Sequence, residues 1–488
     1  MASKKTLTTD TLAGLGAKRL AELLMEVAEA DAAVKRRLRL AVATRDAPET
    51  IAAEVRKRLA QIARARSFVD WRKTRDLAAD LETQRRAIVD QVAKIDASEA
   101  LGLMWRFMEL AGTVYERCDD SNGIIGDVFR VAGGDLGALA EMAAPDPITL
   151  ADRVFTACNE NGYGQYDHLI KMLAPVLKNA GLDHLKSRFV ELSKTPIKKS
   201  PGDKRTIIGL GADGPIYEAD FKARSRASAI RICLQEIADA QGDVDAFVAQ
   251  YDLATRKVPG IAAKIALRLL AARRAEEALQ TLEEAEHTRG DWQDFAWRDY
   301  AWDDARIETL DALGRGDEAQ AARWSCFESA LSAEHLRAHL KRLADFDDVE
   351  AEHRALDHAE GYESALKGLA FLVSWPSLDR AARLLIGRTG EIDGNYFEIL
   401  SPAADSLAGK HPLAATLALR AMIDFTLNKA RASRYGHAAR HLLACADLAS
   451  SIEDFATFET HEAYSARLKA EHGRKSGFWS LISEGRQR

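Results

Sequence analysis

An all-α fold is predicted for this sequence: helical hairpins stacked as an α-solenoid, preceded by an N-terminal helical domain. Three observations predict it. Proline is sparse, 11 in 488 residues, and only Pro48 falls before Pro145. Apolar residues recur at three- and four-residue steps over long stretches. Two passages far into the chain repeat at an offset of 41 residues. The background is rich in Ala, Leu, Glu and Arg, whose side chains lose little rotamer freedom in a helix. No convincing train of alternating strand residues accompanies them.

The helical reading starts near the N-terminus, where Leu12, Leu15, Leu20, Leu23, Leu24 and Val27 recur at helical steps. Pro48 sits inside the first turn of the next helix, which places Ile51, Val55, Leu59 and Ile62 on one face. Leu77, Leu81, Ile88 and Val92 repeat the pattern. Breakers fall at "DDSNG" (119–123), "APDP" (144–147) and "ENGYG" (160–164). The strongest is "KTPIKKSPGDKRTIIGLGADGP" (194–215), with three Pro, four Gly and five Lys/Arg. It divides the chain into an N-terminal helical domain (1–195), a linker (196–214) and a C-terminal helical-repeat domain (215–488). Within the linker, Ile207 and Ile208 suit either a short strand or simple packing.

The repeat is carried by "LLAARRAEEA" (269–278) and "LDALGRGDEA" (310–319). In each, an apolar helix ends, a small or basic turn follows, and Glu-Ala opens the next helix. Periods of about 34–47 residues belong to stacked helical hairpins. The first copy sets Ala262, Ile265, Ala266, Leu269, Ala278, Leu282 and Ala285 at a small-large spacing that resembles a tetratricopeptide repeat. The second keeps Leu313, Gly314 and Ala319 but has Arg323 and Cys326 where an apolar residue and Ala are expected. The resemblance implies a scaffold and no chemistry. Between the copies, Trp292, Phe295, Trp297, Tyr300 and Trp302 crowd together. Aromatic packing between repeats explains most of that cluster, and leaves Asp291, Asp294, Asp299, Asp303 and Asp304 as an acidic rim for a partner.

Five further passages carry a wider resemblance: "KRRLRLAVA" (35–43), "DDSNGIIGDVF" (119–129), "LSAEHLRAHLKRLADFDDVEAEHRALDHA" (331–359), "SRYGHAARHLLACADL" (433–448) and "HGRKSGFW" (472–479). Together they resemble an uncharacterised all-helical family of bacterial proteins, whose related segments elsewhere follow SWIM-type zinc fingers. The Cys-x-Cys and Cys-x-His of such a finger are absent from this chain. The resemblance implies the fold and no established activity.

Composition narrows the function classes. No apolar run approaches the ~18 residues of a membrane span, so no membrane role is expected. "MASKKTLTTDTLAG" lacks the apolar core of a secretory signal. Cys118, Cys158, Cys233, Cys326 and Cys445 are scattered and odd in number, which suits a reducing, cytoplasmic setting. Net charge is −6 but polarised. Residues 35–75 hold thirteen Lys/Arg against four Asp/Glu, and residues 276–318 hold fourteen Asp/Glu against four Arg. Such a chain binds an oppositely charged partner or its own other half.

Several motifs meet the letter of a site and not its context. Gly209, Gly211 and Gly214 spell G-x-G-x-x-G, but Pro215 follows and no second parallel strand is visible. "CDDSNG" places Cys118 and Phe129 where a calcium loop needs carboxylates, so a helix-ending turn with left-handed Gly123 is expected instead. Glu284–His287, Glu350–His353, His335–His339 and His437–His441 could each offer metal ligands on a helix face, and Cys445 extends the last pair. None is His-Glu-x-x-His, and packed groove histidines are the simpler reading, so neither a metal nor a cofactor is assigned.

Two segments remain as binding candidates. In the C-terminal one, Arg434, Tyr435, His437, His441, Arg474, Lys475 and Trp479 combine cations and aromatics beyond what a helix core needs. They suit a pocket for an acidic peptide or another anion, or else a cap that closes the repeat. In the basic one, Arg36, Arg37, Arg39, Arg56, Lys57, Arg58, Arg64, Arg66 and Arg72, with Trp71, suit phosphates. The expected function is therefore a non-catalytic protein–protein interaction scaffold whose partner is another protein or peptide. Nucleic-acid association through residues 35–75 is the alternative. An enzyme or metal protein using the His-rich C-terminal helix is a third choice.

Overall fold

A computed structural model describes residues 8–30, 34, 35, 38, 50–196, 206–211, 214–285 and 300–485. Their architecture is all-α. The one sheet among them is an antiparallel hairpin, Ile207–Gly211 paired with Gly214–Tyr217, with Gly209 opposite Ile216 and Leu210 opposite Pro215. Ile207 and Ile208 thus form a strand, and both are exposed. The G-x-G-x-x-G glycines belong to this hairpin, with Gly214 at φ 113°. No helix begins at the turn to meet a pyrophosphate.

Packing divides the chain into two compact units, 1–255 and 256–488. Composition puts the break at 196–214, whereas packing puts it after Thr255. The helix Glu218–Gln241 is the reason. It lies against the helix Leu169–Lys194 and buries Ile230, Cys233 and Ile237 in the N-terminal core. Arg226 Nη2 fastens the two, donating to the carbonyls of Leu192 (2.7 Å) and Thr195 (3.1 Å).

The N-terminal unit builds on the faces read from periodicity. Ile51, Val55, Leu59 and Ile62 are all buried on the helix Ile51–Arg64. Leu81, Ile88 and Val92 join them, around a centre of Trp105, Phe107, Phe129 and Phe189. Local chemistry starts the helices. Asp96 accepts from the backbone N–H groups of Ser98 (2.9 Å) and Glu99 (3.0 Å) ahead of Ala97–Met108. Asp146 does the same for Thr149 (2.8 Å), with Pro147 in the first turn of Pro147–Asn159. Gly123 is left-handed as expected (φ 71°), but it precedes the helix Ile124–Ala143 rather than ending one. The reason is Asp120, whose carboxylate accepts from the N–H groups of Ile125 and Gly126 (both 2.9 Å) and nucleates the new helix. The apolar face expected near the N-terminus stays open, with Leu15, Leu24 and Val27 all exposed on or beside Ala17–Ala30.

In the C-terminal unit each hairpin packs against the next in chain order, the arrangement of an α-solenoid. The first two hairpins are Pro259–Ala271 with Ala275–Glu283, and Ala301–Ala312 with Gly316–Ala330. Their turns repeat atom for atom at the 41-residue offset. Arg273 (φ 60°) and Gly314 (φ 73°) take the same left-handed turn position. Arg274 N donates to Leu269 O at 2.8 Å, and Arg315 N to Leu310 O at 2.9 Å. Arg274–Glu277 and Arg315–Glu318 then close the following helix start, each at 2.6 Å. Ala262, Ile265, Ala266, Leu269, Ala278, Leu282 and Ala285 are all buried. Arg323 departs from the repeat pattern and is buried as well. It is neutralised by an ion pair to Asp311 and donates to Gln320 Oε1 at 3.0 Å.

Close backbone approach lets these helices stack. A Cβ on Gly368 would lie 2.4 Å from the carbonyl oxygen of Ala359, across the crossing of Asp347–Glu360 with Ala365–Ser374. Gly387, at the end of Leu378–Gly387, has open space around it. Gly368→Ala is expected to destabilise the chain by about 1–3 kcal/mol through overpacking. Gly387→Ala is expected to be neutral or stabilising by up to about 1 kcal/mol. Urea unfolding of the two variants checks the pair, and equal effects would contradict the crossing geometry.

Candidate binding pocket in the C-terminal unit

The helix Pro412–Asn428 is the centre of the C-terminal unit. Phe397–Leu407, Leu378–Gly387 and Tyr435–Ala449 pack on it. Every residue from Ala414 to Arg420 is buried. Within that apolar helix, Thr416, Arg420 and Asp424 follow at four-residue steps, so they stack along one side. Arg420 is only 5% exposed.

The helix His461–His472 faces this polar stripe, with Thr460 capping it through Ala463 N (3.3 Å). Tyr464 and Arg467 come from it. The Tyr464 hydroxyl donates to Asp424 Oδ1 at 2.9 Å. Its ring lies beneath two guanidinium groups, Arg420 at 4.4 Å and Arg467 at 4.9 Å from the centroid. Arg467 pairs with Glu459 at 3.1 Å and Asp424 at 3.6 Å. Arg420 Nη1 donates to the Glu459 carbonyl at 2.8 Å. Its Nε and Nη2 are buried without a hydrogen-bond partner, as is the Thr416 hydroxyl.

Arg420, Asp424, Glu459, Tyr464 and Arg467 line a cavity of about 500 Å³, with Thr389, Asp393, Gly394, Phe425 and Phe458 among its other walls. That volume falls within the ~300–1,000 Å³ of small-molecule and side-chain sites. Gly394 sets the wall. A Cβ there would lie 1.9 Å from Ala421 O, so only glycine lets the 392–395 turn reach the helix. Burial raises Asp424 above the usual carboxylate range, against its bonds to Tyr464 and Arg467. Burial also raises the Tyr464 phenol and lowers Arg420 from its usual value. The Cys445 thiol, within 4.0 Å of Thr416 O, is pushed up to about 12 by burial. It is thus a thiol and not a thiolate near neutral pH. The arrangement is suited to binding: a shielded cation, a flat aromatic floor and flanking carboxylates.

The C-terminal residues singled out from sequence are not brought together at one site. Tyr435 and Trp479 both pack edge-on against the buried Phe478, at 6.1 and 5.0 Å, as parts of the core. Trp479 Nε1 donates to His472 O (3.0 Å), and Lys475 Nζ lies 3.4 Å from His472 Nδ1. His437 pairs with Arg440 at 2.9 Å on a shallow surface site shared with Ser433 and Leu481. His441 points inward, its Nδ1 buried and unpartnered. Arg474 is exposed, with no ion pair among the described residues. Arg434 connects to the pocket. It donates to Asn395 Oδ1 (3.1 Å) and lies over the Phe397 ring (5.0 Å), so it holds the strip that supplies Asp393 and Gly394.

The other sequence candidates are occupied locally. His335 bonds Asp304 (2.9 Å) and Ser332 (2.7 Å), and His339 bonds Gln320 O (3.2 Å). Among the described residues, no group of three or more His, Cys, Asp or Glu is placed to hold a metal ion. Tyr300 packs on His335 at 4.8 Å, and Trp302 Nε1 donates to Leu282 O at 3.2 Å, joining the two repeats. Trp292, Phe295, Trp297, Asp291, Asp294, Asp299 and His287 lie outside the described residues, as do Arg36, Arg37 and Arg39. Arg56 pairs with Glu99, and Arg58 binds Asp80 (3.0 Å), while Lys57 is exposed.

Residues 2–481 match one protein family, described as a family of unknown function. The chain belongs to the DUF6880 family. No curated protein matches it. Among solved structures, the chain is similar to a circular tandem repeat protein with novel repeat topology and enhanced subunit contact surfaces. Identity is 13%, with 96% of this chain and 95% of the other covered and a TM-score of 0.12. At that score the likeness carries no argument, and the all-α assignment of this DUF6880 member rests on its own helices. No helix of the described residues is long and apolar enough to cross a membrane.

Sequence reading passed over Arg420, Asp424, Tyr464 and Arg467. A usable signal was present: in "PLAATLALRAMIDF" a lone Arg interrupts an apolar helix, with Thr four residues before it and Asp four after. The inward His441 generates a pH dependence. Burial first, then the charges of the neighbouring His437 and Arg440 side chains where they are protonated, lower its pKa below the ordinary histidine value. The folded state therefore binds fewer protons than the unfolded chain, and stability falls as pH drops below about 6.5. His441→Leu should raise the melting temperature more at about pH 5.5 than at about pH 7.5. Melts at both values check this, and a pH-independent change would exclude titration of His441 as the cause.

Proposed function

We propose that this DUF6880 member is a non-catalytic interaction scaffold whose partner is another protein or peptide. One observation carries the reading: the Arg420 pocket sits in the C-terminal helical stack and presents a buried cation beside an aromatic ring. Stacked hairpins supply extended grooves for a peptide or helix, and a pocket of this kind anchors one residue of it. Arg434 and the 392–395 turn belong to the same surface, which ties the C-terminal candidate residues to it. Selection of random peptides on the full-length protein tests the proposal. A shared motif is expected, and Asn395→Ala and Arg467→Ala should each weaken its binding about tenfold or more, since truncating an energetically important contact costs about 1–2 kcal/mol, or about fivefold to thirtyfold. Failure to select a motif, or a motif indifferent to both variants, would overturn it.

A second reading, nucleic-acid association, is favoured by the segment 64–75. Phe68 and Trp71 are 68% and 60% exposed, and Arg72 lies 5.2 Å over the Trp71 ring. Arg64, Arg66, Arg72, Lys73 and Arg75 are exposed, with no ion pair among the described residues. The loop is pinned from below. Val69 N donates to Arg117 O (2.8 Å), and Asp119 N donates to Val69 O (3.1 Å). Exposed rings beside free cations suit stacked bases and phosphates. Single-stranded oligonucleotide binding should then fall steeply with salt. Trp71→Ala should weaken it about tenfold, the order of one base stack. Absence of binding at low salt removes this reading.

A further inference from the structure

We infer that Arg420 receives one carboxylate of a bound peptide, an acidic side chain or a chain terminus, on the edge formed by its Nε and Nη2. The inference rests on the peptide-binding reading above and names the group recognised. A guanidinium offers five N–H donors in a fixed plane. In Arg420, Nη1 is committed to the Glu459 carbonyl at 2.8 Å. The ring of Tyr464 covers the flat side of the group at 4.4 Å. What remains is one side of the plane, Nε with Nη2, buried and without a partner. Those two parallel N–H groups match the two oxygens of a carboxylate.

The neighbouring acids do not close that edge. Asp424 bonds the Tyr464 hydroxyl and Arg467, and Glu459 pairs through its carboxylate with Arg467. No carboxylate lies within ion-pair distance of Arg420 among the described residues. Evolution of a buried cation without a counter-charge is unfavourable for folding alone, because a desolvated charge needs compensation. The charges around the cavity also select the ligand. Asp393, Asp424 and Glu459 line it together with Arg420 and Arg467. Three acids against two cations disfavour a phosphate dianion and admit a singly charged group.

The test follows the Arg420 Nε–H resonance of the full-length protein by ¹H–¹⁵N NMR, assigned by its loss in Arg420→Lys. Three probes are titrated at constant ionic strength. N-acetylglycine stands for a chain terminus, N-acetylaspartate amide for an acidic side chain, and inorganic phosphate for the competing anion. A saturating shift with at least one carboxylate is expected, with phosphate weaker; in Arg420→Lys, followed at the backbone amide of the cavity-lining Gly394, affinity should fall tenfold or more. The stronger carboxylate tells which source is recognised. No saturating shift with either carboxylate, or tighter binding of phosphate, would overturn the inference; an ordered water filling the edge would give the first of these results. Where Arg420→Lys does not fold, the Nε–H is assigned in the wild-type protein through its coupling to the Arg420 side-chain carbons, and Asp393→Asn is the variant. Removing one carboxylate from the cavity lining should tighten binding of the carboxylate probe, and an unchanged or weaker affinity would overturn the inference. Peptides that bind while neither carboxylate does would sink this inference and leave the scaffold reading standing. The converse result would leave the carboxylate site and remove the scaffold.

Discussion

Close approach of helix backbones is the constraint on which the C-terminal unit depends. An α-solenoid buries its apolar surface only between neighbouring hairpins, so each crossing must be tight enough to exclude water. Alanine provides most of that closeness, with Ala262, Ala266, Ala278, Ala355, Ala359, Ala381, Ala414 and Ala418 all fully buried. Glycine is needed where a carbonyl itself is the neighbour, at Gly368 against Ala359 O and at Gly394 against Ala421 O. The second of these also shapes the pocket. The same contact that seats the 392–395 turn on the central helix brings Asp393 to the cavity rim, so packing and site share one element.

Turn chemistry supplies the second requirement. The turns at Arg273 and Gly314 bend the chain in the same left-handed way and are followed by the same Arg–Glu closure. A non-glycine residue at φ 60° carries backbone strain. The flanking bonds from Arg274 N and to Glu277 hold it in place. Arg323 shows how the repeat tolerates a polar residue in its interior. Asp311 lies on the partner helix of the same hairpin, so the ion pair forms within one repeat and needs no help from the next. Arg420 differs in this respect: its counter-charge is not supplied from its own hairpin.

What was legible in the sequence was whatever repeats over short distances. Ile51, Val55, Leu59 and Ile62 share a face because helical pitch alone decides it. The seven small-large positions of the first hairpin are buried because crossing geometry repeats. Pairings across long separations were not legible. Arg56 with Glu99 and Arg58 with Asp80 turn a run of cations into partly neutralised helix faces, and only the fold brings those acids near. The same holds for the unit boundary. Pro and Gly content marks 196–214, but the helix Glu218–Gln241 crosses back onto the N-terminal core through apolar contacts that composition does not register. In the pocket, the Thr416, Arg420 and Asp424 stripe was readable as four-residue spacing, whereas Tyr464, Arg467 and Gly394 arrive from elements distant in the chain.

The polar stripe is better explained by binding than by stability. Replacing a buried ionic group with apolar side chains of similar volume is often neutral or stabilising, by about 1–4 kcal/mol. A helix as apolar as Pro412–Asn428 had every opportunity for such a replacement at position 420. The arginine there is instead held in one orientation, by the Glu459 carbonyl at one end and the Tyr464 ring on its face. Tyr464 is fixed in turn by Asp424, and Asp424 by Arg467. A chain of contacts that orients a cation while leaving its carboxylate-matched edge buried and without a partner is the arrangement of a preorganised site. Orientation is costly in entropy for a long side chain, and it serves recognition, in which a planar group must be met in its own plane.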